Sequence, residues 1–407
     1  PPHRVFRAPP APNKVSDISR CAARAVATTA VPTIGKAPKA IVNTNTTNSK
    51  LVLRNDDEIF ESSDSDTAST LRCSTMSKRQ VLIPSIVFDR IRSRLEALPH
   101  EIDVLCWTSS GVQLPDGSPV ETTDYKPEIA WIPIDLLFAG TSNGMTVSEF
   151  LLFTEAITDS ATIKWVQSCL AGADAPPLQK IISAGIRFSN SDSPNAGVAE
   201  YTMAAIMNVV HDWEERINNQ RKGEWIQKGW TEINGNTWLI VGFGSIGREI
   251  AKRAKPFGVE VVGARRSPAA DPLADRMVTM SSIHEVLPSA DVVVVACPLT
   301  DETRGLIDKD FLSSMGDGSI LVNVSRGPVV NTRDLLEALN SDRDLKAILD
   351  VFDVEPLEPS SPLWNHRKVT LTSHIAGAGS GITKRGDDVF LEQLNAYLSG
   401  DDLRLEL

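Results

Sequence analysis

The sequence has few cysteines and no long apolar run, and both scarcities limit what it can encode. Only 5 of the 407 residues are cysteine. They are scattered, with no Cys-x-x-Cys pair and no histidine at ligand spacing, so neither a disulfide framework nor a metal site is expected. No apolar stretch approaches the about 18 residues of a transmembrane helix, so we expect no membrane partner.

Positive charge is scarce relative to negative charge. The 41 Lys and Arg are outnumbered by 52 Asp and Glu, which gives a formal net charge of −11 and a pI near 5.2. So acidic a chain is not expected to bind nucleic acid or an anionic membrane nonspecifically. An intracellular compartment with reduced thiols is the simplest expectation.

The first 75 residues lack the apolar periodicity of a folded domain. Residues 1–50 carry eight Lys or Arg and one acid, Asp17, whereas residues 56–70 form an acidic tract rich in Ser and Thr. We predict that residues 1–75 are a disordered leader or a targeting segment. The basic start resembles an organelle transit peptide, but Met76 directly precedes a plausible first strand. We therefore expect a cytosolic protein, with a mitochondrion or plastid as the alternative if residues 1–50 are a transit peptide.

From Met76 onward, short apolar runs alternate with helical patterns, as is typical of an α/β architecture. A long helix is predicted to begin near 196–207 and run toward Gln220, and a last helix is predicted over 388–399. The candidate strands are 80–83, 128–131, 164–167 and 180–183, followed by 238–241, 259–262, 291–296, 319–324, 347–350 and 369–372.

A glycine-rich turn between two apolar runs is the most informative motif. Gly242, Gly244 and Gly247 follow the run that ends at Val241, and a helical pattern leads from them to a second run at 259–262. This spacing predicts a βαβ unit whose turn, with Ser245 and Ile246, holds a dinucleotide pyrophosphate at a helix N-terminus.

The end of the second strand bears on the choice of dinucleotide. NAD sites usually place Asp or Glu there, to accept a hydrogen bond from the ribose 2′-hydroxyl. This chain instead has Ala264 followed by Arg265, Arg266 and Ser267, which suits a 2′-phosphate. We therefore favour NADP(H) over NAD(H). The alternative is a solvated basic loop that tolerates both cofactors.

Three side chains later in the chain suit the reduction of a 2-oxo acid. Arg326 follows a buried-looking strand and offers a fork that binds a carboxylate, while His374 can give a proton to a forming alkoxide. Glu355 beside that histidine would favour its charged form. Each residue alone has an ordinary structural explanation, so only the joint pattern indicates catalysis.

From about Met76 to Leu407 the chain resembles the D-isomer-specific 2-hydroxyacid dehydrogenases, a family that includes glyoxylate/hydroxypyruvate reductases. The motifs that carry the resemblance are KWVQSCLAGAD at 164–174, VGFGSIGREIA at 241–251, ADVVVVACPLT at 290–300, NVSRGPVVN at 323–331, LDVFDVEPL at 349–357 and TSHIAG at 372–377.

The resemblance implies roles for individual residues. Arg326 would hold the substrate carboxylate and carbonyl with backbone N–H groups around Gly172 and Ala173. His374 would be the general acid in reduction, with Glu355 as its partner. The remaining residues implied in cofactor binding are Asp350 at the nicotinamide amide, and Cys297, Pro298 and Ser325 at its ribose.

The resemblance also implies an architecture and an activity. The fold would be two Rossmann-like, doubly wound parallel-sheet domains, with a coenzyme domain at 197–377 inserted in a substrate domain at 76–196 plus 378–407. The family is usually a homodimer through its coenzyme domains. We expect reversible hydride transfer between NAD(P)H and a small 2-oxo acid such as glyoxylate or hydroxypyruvate. The alternative is a dinucleotide-sensing, corepressor-like interaction protein on the same fold.

Overall fold

Two β-sheets with helices on their faces form the framework of the protein in a computed structural model. The structure describes residues 78–120, 123–137 and 147–407. The leader predicted over residues 1–75 lies outside the described residues.

Thirteen strands and nine α-helices lie within the part of the chain that the structure describes. The strands are Arg79–Pro84 (β1), Ile102–Thr108 (β2), Gly111–Gln113 (β3), Ile129–Ile132 (β4), Trp165–Ser168 (β5), Arg187–Ser189 (β6), Thr237–Val241 (β7), Glu260–Ala264 (β8), Arg276–Val278 (β9), Val292–Val295 (β10), Ile320–Asn323 (β11), Lys346–Leu349 (β12) and Val369–Leu371 (β13). The helices are Ser85–Glu96 (α1), Val147–Thr158 (α2), Pro176–Ser183 (α3), Asn195–Val210 (α4), Trp213–Lys222 (α5), Ser245–Ala254 (α6), Lys309–Ser314 (α7), Thr332–Leu339 (α8) and Ile382–Ser399 (α9).

The first sheet has the strand order β3-β2-β1-β4-β5-β6, and the second has the order β13-β12-β11-β10-β7-β8-β9. All pairings are parallel except that of β3 with β2. Because helices cover both faces of such sheets, the central strands are largely apolar on both faces, as in β7, β10 and β4. In β7, for example, Trp238 and Ile240 enter one core cluster while Leu239 and Val241 enter the other. The predicted α/β class with two Rossmann-like sheets is confirmed.

Helix α9 packs on the first sheet although it follows the second in sequence. Phe390 stacks on Trp131 with ring centroids 4.8 Å apart, and Tyr397 stacks on Trp165 at 4.9 Å. The helix begins at Ile382, six residues before the predicted start at Asp388. This packing agrees with a substrate domain interrupted by a coenzyme domain, although the exact domain boundaries stay a prediction.

One predicted strand is wrong. Residues 180–183 lie in α3, which has prolines in its first turn and buries Leu178 and Ile181 on one face. A short apolar run fits a buried helix face as well as a strand, and proline is favoured at the start of a helix. The sheet position expected there is taken by β6.

The long helix predicted toward Gln220 is in fact two helices. It is interrupted at His211 and Asp212, and Asp212 has the left-handed backbone conformation with φ of 49°. This conformation is uncommon outside glycine, but Asp and Asn tolerate it best. Within the described ranges, no helix combines the length and apolarity that a membrane span requires.

Candidate active site

Loops from several neighbouring strands meet at the carboxyl edge of the second sheet. The glycine turn follows β7, Cys297 follows β10, Arg326 follows β11, Glu355 follows β12 and His374 follows β13. Ligands of open parallel sheets bind at this edge, next to the point where the strand order reverses. The reversal lies at β7, between β8 and β10.

His374 and Glu355 form a hydrogen-bonded pair at this edge. His374 Nδ1 lies 2.7 Å from Glu355 Oε2, and the other carboxylate oxygen accepts from the backbone N–H of Phe352 at 2.9 Å. The carboxylate is therefore fixed by the loop that carries it. With Nδ1 bound to Glu355, the Nε2 side of the ring is the side that can face a substrate.

The two partners shift each other's pKa in opposite directions. The hydrogen bond that His374 donates to Glu355 raises the pKa of His374; burial opposes this effect, and the charges of Glu355 and Asp350 support it. Burial works to raise the pKa of Glu355, but the hydrogen bonds from His374 and Phe352 outweigh it and hold that pKa below its usual value. The charge of Arg326 acts on both groups, lowering both pKa values.

The backbone of His374 is held in an unusual conformation. Its φ is 54°, in the left-handed region that a histidine rarely adopts. The N–H of His374 donates to the carbonyl of Asp350 at 2.7 Å, and this bond fixes the turn. Such strain persists only where neighbouring contacts enforce it, and it concentrates at functional sites.

Asp350 organises the same turn through its side chain. The residue is 1 % exposed, and its carboxylate accepts from the backbone N–H groups of Ile375 at 2.9 Å and Ala376 at 2.8 Å. Thr372 donates a further hydrogen bond at 2.5 Å, and Tyr201 of α4 lies 2.6 Å from the Thr372 hydroxyl. The predicted contact of Asp350 with the nicotinamide amide stays a prediction.

Arg326 reaches from the second sheet to the loop after β5 of the first sheet. Its Nε donates to both carboxylate oxygens of Asp174, at 3.0 and 2.9 Å. Gly172 lies against the guanidinium, because a Cβ there would sit 2.5 Å from Arg326 Nη2. The predicted substrate loop around Gly172 and Ala173 is thus brought to Arg326. Ala173 itself is buried.

The glycine turn fits the dinucleotide that its sequence predicts. Gly242 has φ of +91°, and a Cβ on it would lie 2.3 Å from the backbone nitrogen of Cys297. A Cβ on Gly247 would meet the carbonyl oxygen of Gly242 at 2.8 Å, so the helix α6 packs close to the turn. Gly244, by contrast, has open space beside it. The N–H of Gly244 donates to the carbonyl of Gly242 at 2.9 Å, so Ser245 and Ile246 present the first N–H groups of α6, which have no acceptor within the helix.

Arg265 and Arg266, the basic pair after β8, lie in different environments. Arg265 donates to the carbonyls of Ser267 at 2.7 Å and Ala269 at 2.8 Å, and it lies 3.8 Å from the buried Asp271. Arg266 is exposed and forms no hydrogen bond or ion pair with any described residue. Sequence reasoning treated the two arginines as equivalent. The structure separates a loop-bound guanidinium from one that faces solvent.

Three further residues predicted to line the cofactor site follow β10 and β11. Cys297 is buried, and burial raises the pKa of its thiol to about 11, while Pro298 is exposed. Ser325 is buried and its hydroxyl accepts from the backbone N–H of Arg326 at 2.5 Å. Their contacts with a ribose stay predictions.

Comparison with known proteins identifies the family. The sequence model of the D-isomer specific 2-hydroxyacid dehydrogenase, NAD binding domain, matches residues 203–376. Glyoxylate/hydroxypyruvate reductase A of Arabidopsis thaliana is 32% identical over 254 residues, covering 61% of this chain and 80% of the relative. Glyoxylate reductase/hydroxypyruvate reductase of Mus musculus is 32% identical over 249 residues, covering 59% and 74%. The chain belongs to the D-isomer specific 2-hydroxyacid dehydrogenase family.

A solved structure shares the fold of this dehydrogenase. It is a D-isomer specific 2-hydroxyacid dehydrogenase family protein from Aeromonas salmonicida, at 24% identity and a TM-score of 0.64. The likeness covers 81% of this chain and 99% of that one. The expected enzyme class and the NAD(P) cofactor are confirmed by the family.

Sequence reasoning missed the residues that position this dehydrogenase's site. Asp174 and Thr372 both lie inside motifs that carried the resemblance, and a carboxylate two residues after Gly172 is a signal that could have been found. Tyr201 could not, because its partner Thr372 is 171 residues away in sequence. Asp271 gave no signal either, since it follows an irregular Pro- and Ala-rich loop.

Proposed function

We propose that this protein reduces a small 2-oxo acid, with glyoxylate and hydroxypyruvate as the first candidates, to the 2-hydroxy acid, which is the D-isomer wherever the product is chiral. The proposal rests chiefly on the pairing of His374 with Glu355 at 2.7 Å, within the electrostatic reach of Arg326. The names of the Arabidopsis and mouse relatives supply the candidate substrates. Bound NAD(P)H would supply the hydride to the carbonyl carbon.

The protein's own residues would bind the acid and move a proton. The Arg326 guanidinium holds the substrate carboxylate, and the backbone around Gly172 completes that side of the site. His374 gives a proton from Nε2 to the carbonyl oxygen as negative charge develops there. Glu355 keeps the imidazole protonated and correctly oriented until that step.

The direct test is the loss of nicotinamide absorbance with purified protein. Glyoxylate, hydroxypyruvate and other 2-oxo acids are offered in turn, with NADPH and NADH in parallel. We expect turnover with at least one small acid. Binding of NADPH without turnover of any 2-oxo acid would contradict the proposal and favour the interaction-protein alternative.

Two variants separate the proposed roles. Arg326→Lys keeps the charge but loses the bidentate fork, so KM for the acid should rise while affinity for NADPH is retained. His374→Asn removes the proton donor, so kcat should fall about 10²-fold or more, again with cofactor affinity retained. Full turnover by His374→Asn would show that another group supplies the proton.

We also propose a preference for NADPH, carried by Arg266. Arg266 is exposed beside the end of β8, whereas Arg265 is bound to its own loop and lies near Asp271. Arg266→Ala should raise KM for NADPH about tenfold, the worth of one charge-assisted hydrogen bond, and leave KM for NADH unchanged. Arg265→Ala should affect both cofactors alike. A wild-type preference for NADH would contradict this assignment.

A homodimer is the assembly we propose. Exposed apolar side chains gather on α5 and the segment after it, and such patches often mark interfaces; Trp225 is 90% exposed. The other members of this patch are Trp213, Ile217, Ile226 and Trp230. Sedimentation should give a dimer for the wild type and a monomer for the Trp225→Ser, Trp230→Ser double variant. A monomeric wild type would refute the proposal.

A further inference from the structure

Asp174 makes the closest ionic contact of Arg326 and joins a loop of the first sheet to a loop of the second. Nε of Arg326 donates to both oxygens of Asp174, and Nη2 lies 2.8 Å from Oδ1. Asp174 follows β5 of the first sheet, whereas Arg326 follows β11 of the second. One ion pair therefore joins the loops of both sheets at the position proposed to bind the substrate carboxylate.

The contacts of Arg326 occupy only part of its guanidinium. Nη1 donates one further hydrogen bond, to the carbonyl of its neighbour Ser325, at 2.8 Å. A guanidinium has five N–H bonds, one on Nε and two on each terminal nitrogen. The hydrogen bonds to Asp174 and Ser325 use three of these five N–H bonds, so Nη1 and Nη2 each retain one. These two bonds form the terminal edge of the fork, which suits a carboxylate.

We propose that Asp174 is a positioning residue for substrate recognition. Its carboxylate holds the Nε side of Arg326, so that the terminal edge with Nη1 and Nη2 is the edge offered to the substrate carboxylate. This inference rests on the proposed function. It assigns to Asp174 the role of orienting Arg326, without contact between Asp174 and the reacting atoms.

The surroundings distinguish this ion pair from a loose surface pair. Gly172 leaves space that a Cβ would fill, since such an atom would lie 2.5 Å from Arg326 Nη2 and 3.0 Å from Asp174 Oδ1. Both side chains are partly buried, with exposed fractions of 41% for Asp174 and 29% for Arg326. A long arginine side chain loses considerable rotamer freedom when it is fixed. Because Asp174 already fixes Arg326 in the folded protein, substrate binding does not have to bear this entropic cost.

Asp174 also balances the charge around His374. The positive charge of Arg326 lowers the pKa of His374, whereas Glu355 and Asp350 raise it. Burial works to raise the pKa of Asp174, but the hydrogen bonds and charge of Arg326 outweigh it and lower that pKa, and the attraction between Asp174 and His374 adds to the lowering. Loss of Asp174 would leave Arg326 uncompensated, so the pKa of His374 should fall.

The test compares Asp174→Asn with Asp388→Asn. The control removes a carboxylate from another arginine pair, that of Arg94 with Asp388 at 2.7 Å between α1 and α9. For Asp174→Asn we expect KM for the 2-oxo acid to rise about tenfold, with kcat changed far less and the dissociation constant for NADPH unchanged. The alkaline limb of the pH profile for reduction should move to lower pH. Asp388→Asn should leave all four quantities unchanged.

Asp174→Glu serves as the conservative variant, because it restores the charge at a slightly different distance. It should recover part of the lost affinity and return the alkaline limb toward its wild-type position. A fall in KM for Asp174→Asn would overturn the proposal, since it would mean that Asp174 competes with the substrate for Arg326. An unchanged KM and pH profile would overturn it as well. These failures differ from failure of the proposed function, in which the wild type itself reduces no 2-oxo acid.

Discussion

Glu355 governs the protonation of His374, as the single hydrogen bond at 2.7 Å indicates. The raised pKa of His374 keeps the ring charged to a higher pH than a free histidine. Reduction needs the charged form, so activity should be lost as pH rises through that raised pKa. The opposite direction, oxidation, needs the neutral ring and should gain activity over the same pH interval.

Glu355→Gln tests this dependence. The amide still bonds to the ring but carries no charge, so the pKa of His374 should fall and the alkaline limb of reduction should move to lower pH. At neutral pH we expect kcat/KM for reduction to drop about tenfold, within the range of one lost charge-assisted hydrogen bond. The measurement is kcat/KM against pH with saturating NADPH. An alkaline limb that stays in place would mean that another group titrates there.

At the scale of elements, α4 is connected to the turn of His374 by hydrogen bonds. Thr372 donates to Asp350 at 2.5 Å, so the hydroxyl of Tyr201 must be the donor toward Thr372. Gly197 of α4 also lies beside this turn, where a Cβ would be in ordinary van der Waals contact, 3.4 Å from the carbonyls of Ala376 and Gly377. The helix therefore supports the strained backbone of His374.

Tyr201→Phe removes only the hydroxyl that donates to Thr372, which is the first of the hydrogen bonds that lead from α4 to Asp350. We expect kcat to fall several-fold, about 1 kcal/mol, because Thr372 and Asp350 lose part of their constraint on the turn. KM for NADPH should not change. The control is Tyr397→Phe, which loses a comparable hydrogen bond, to Glu128 at 2.9 Å, at the start of β4. Equal kcat values for the two variants would contradict the role of Tyr201.

Most elements with continuous apolar runs could be predicted from the sequence, but β2 was missed although it contains the apolar run from Val104 to Trp107. The six predicted strands of the second sheet correspond to β7, β8, β10, β11, β12 and β13 to within two residues. The strand predicted at 180–183 failed because two adjacent isoleucines fit a helix face equally well. β3, β6 and β9 have three residues each and were not predicted, although β13, which has the same length, was.

The site could be predicted only where a residue type itself implies chemistry. Arg326, Glu355 and His374 have such types, and the structure brings the loops that carry them to one sheet edge. Tyr201 acts through a partner 171 residues away, so no local pattern indicates it, whereas Asp174, whose partner is 152 residues away, does lie two residues after Gly172 in a recognised motif. Arg265 and Arg266 are indistinguishable in sequence, and only the fold of the loop separates them.

For the whole molecule, a charged cluster fastens α9 to α1. Arg90 donates to Asp135 at 3.0 and 2.9 Å and to Asp387 at 2.6 and 3.1 Å. Both carboxylates are nearly inaccessible, whereas the arginine side chain is 34% exposed. Burial raises the pKa of Asp387, against the opposing effect of Arg90.

Arg90→Leu leaves two buried carboxylates without a cation. We expect about 2 kcal/mol of destabilisation at pH 7, less than the roughly 3–5 kcal/mol of a fully buried pair because Arg90 is partly exposed. In this variant the pKa of Asp387 in the folded state would rise further above its value in the unfolded state. The loss of stability should therefore be smallest near the unfolded-state pKa of Asp387 and grow as pH increases through its folded-state pKa. Urea unfolding at several pH values measures it. A loss independent of pH would contradict this explanation.

The late position of α9 in the chain has a consequence for biosynthesis. A nascent polypeptide leaves the ribosome with β1 to β6 already made, but Trp131 and Trp165 gain their stacking partners only when Phe390 and Tyr397 emerge. The cofactor-binding half is complete only shortly before that moment, because β13 ends at Leu371 and α9 begins at Ile382. The indole-rich surface of the first sheet therefore stays uncovered until translation is nearly finished, and chaperones have that one surface to shield.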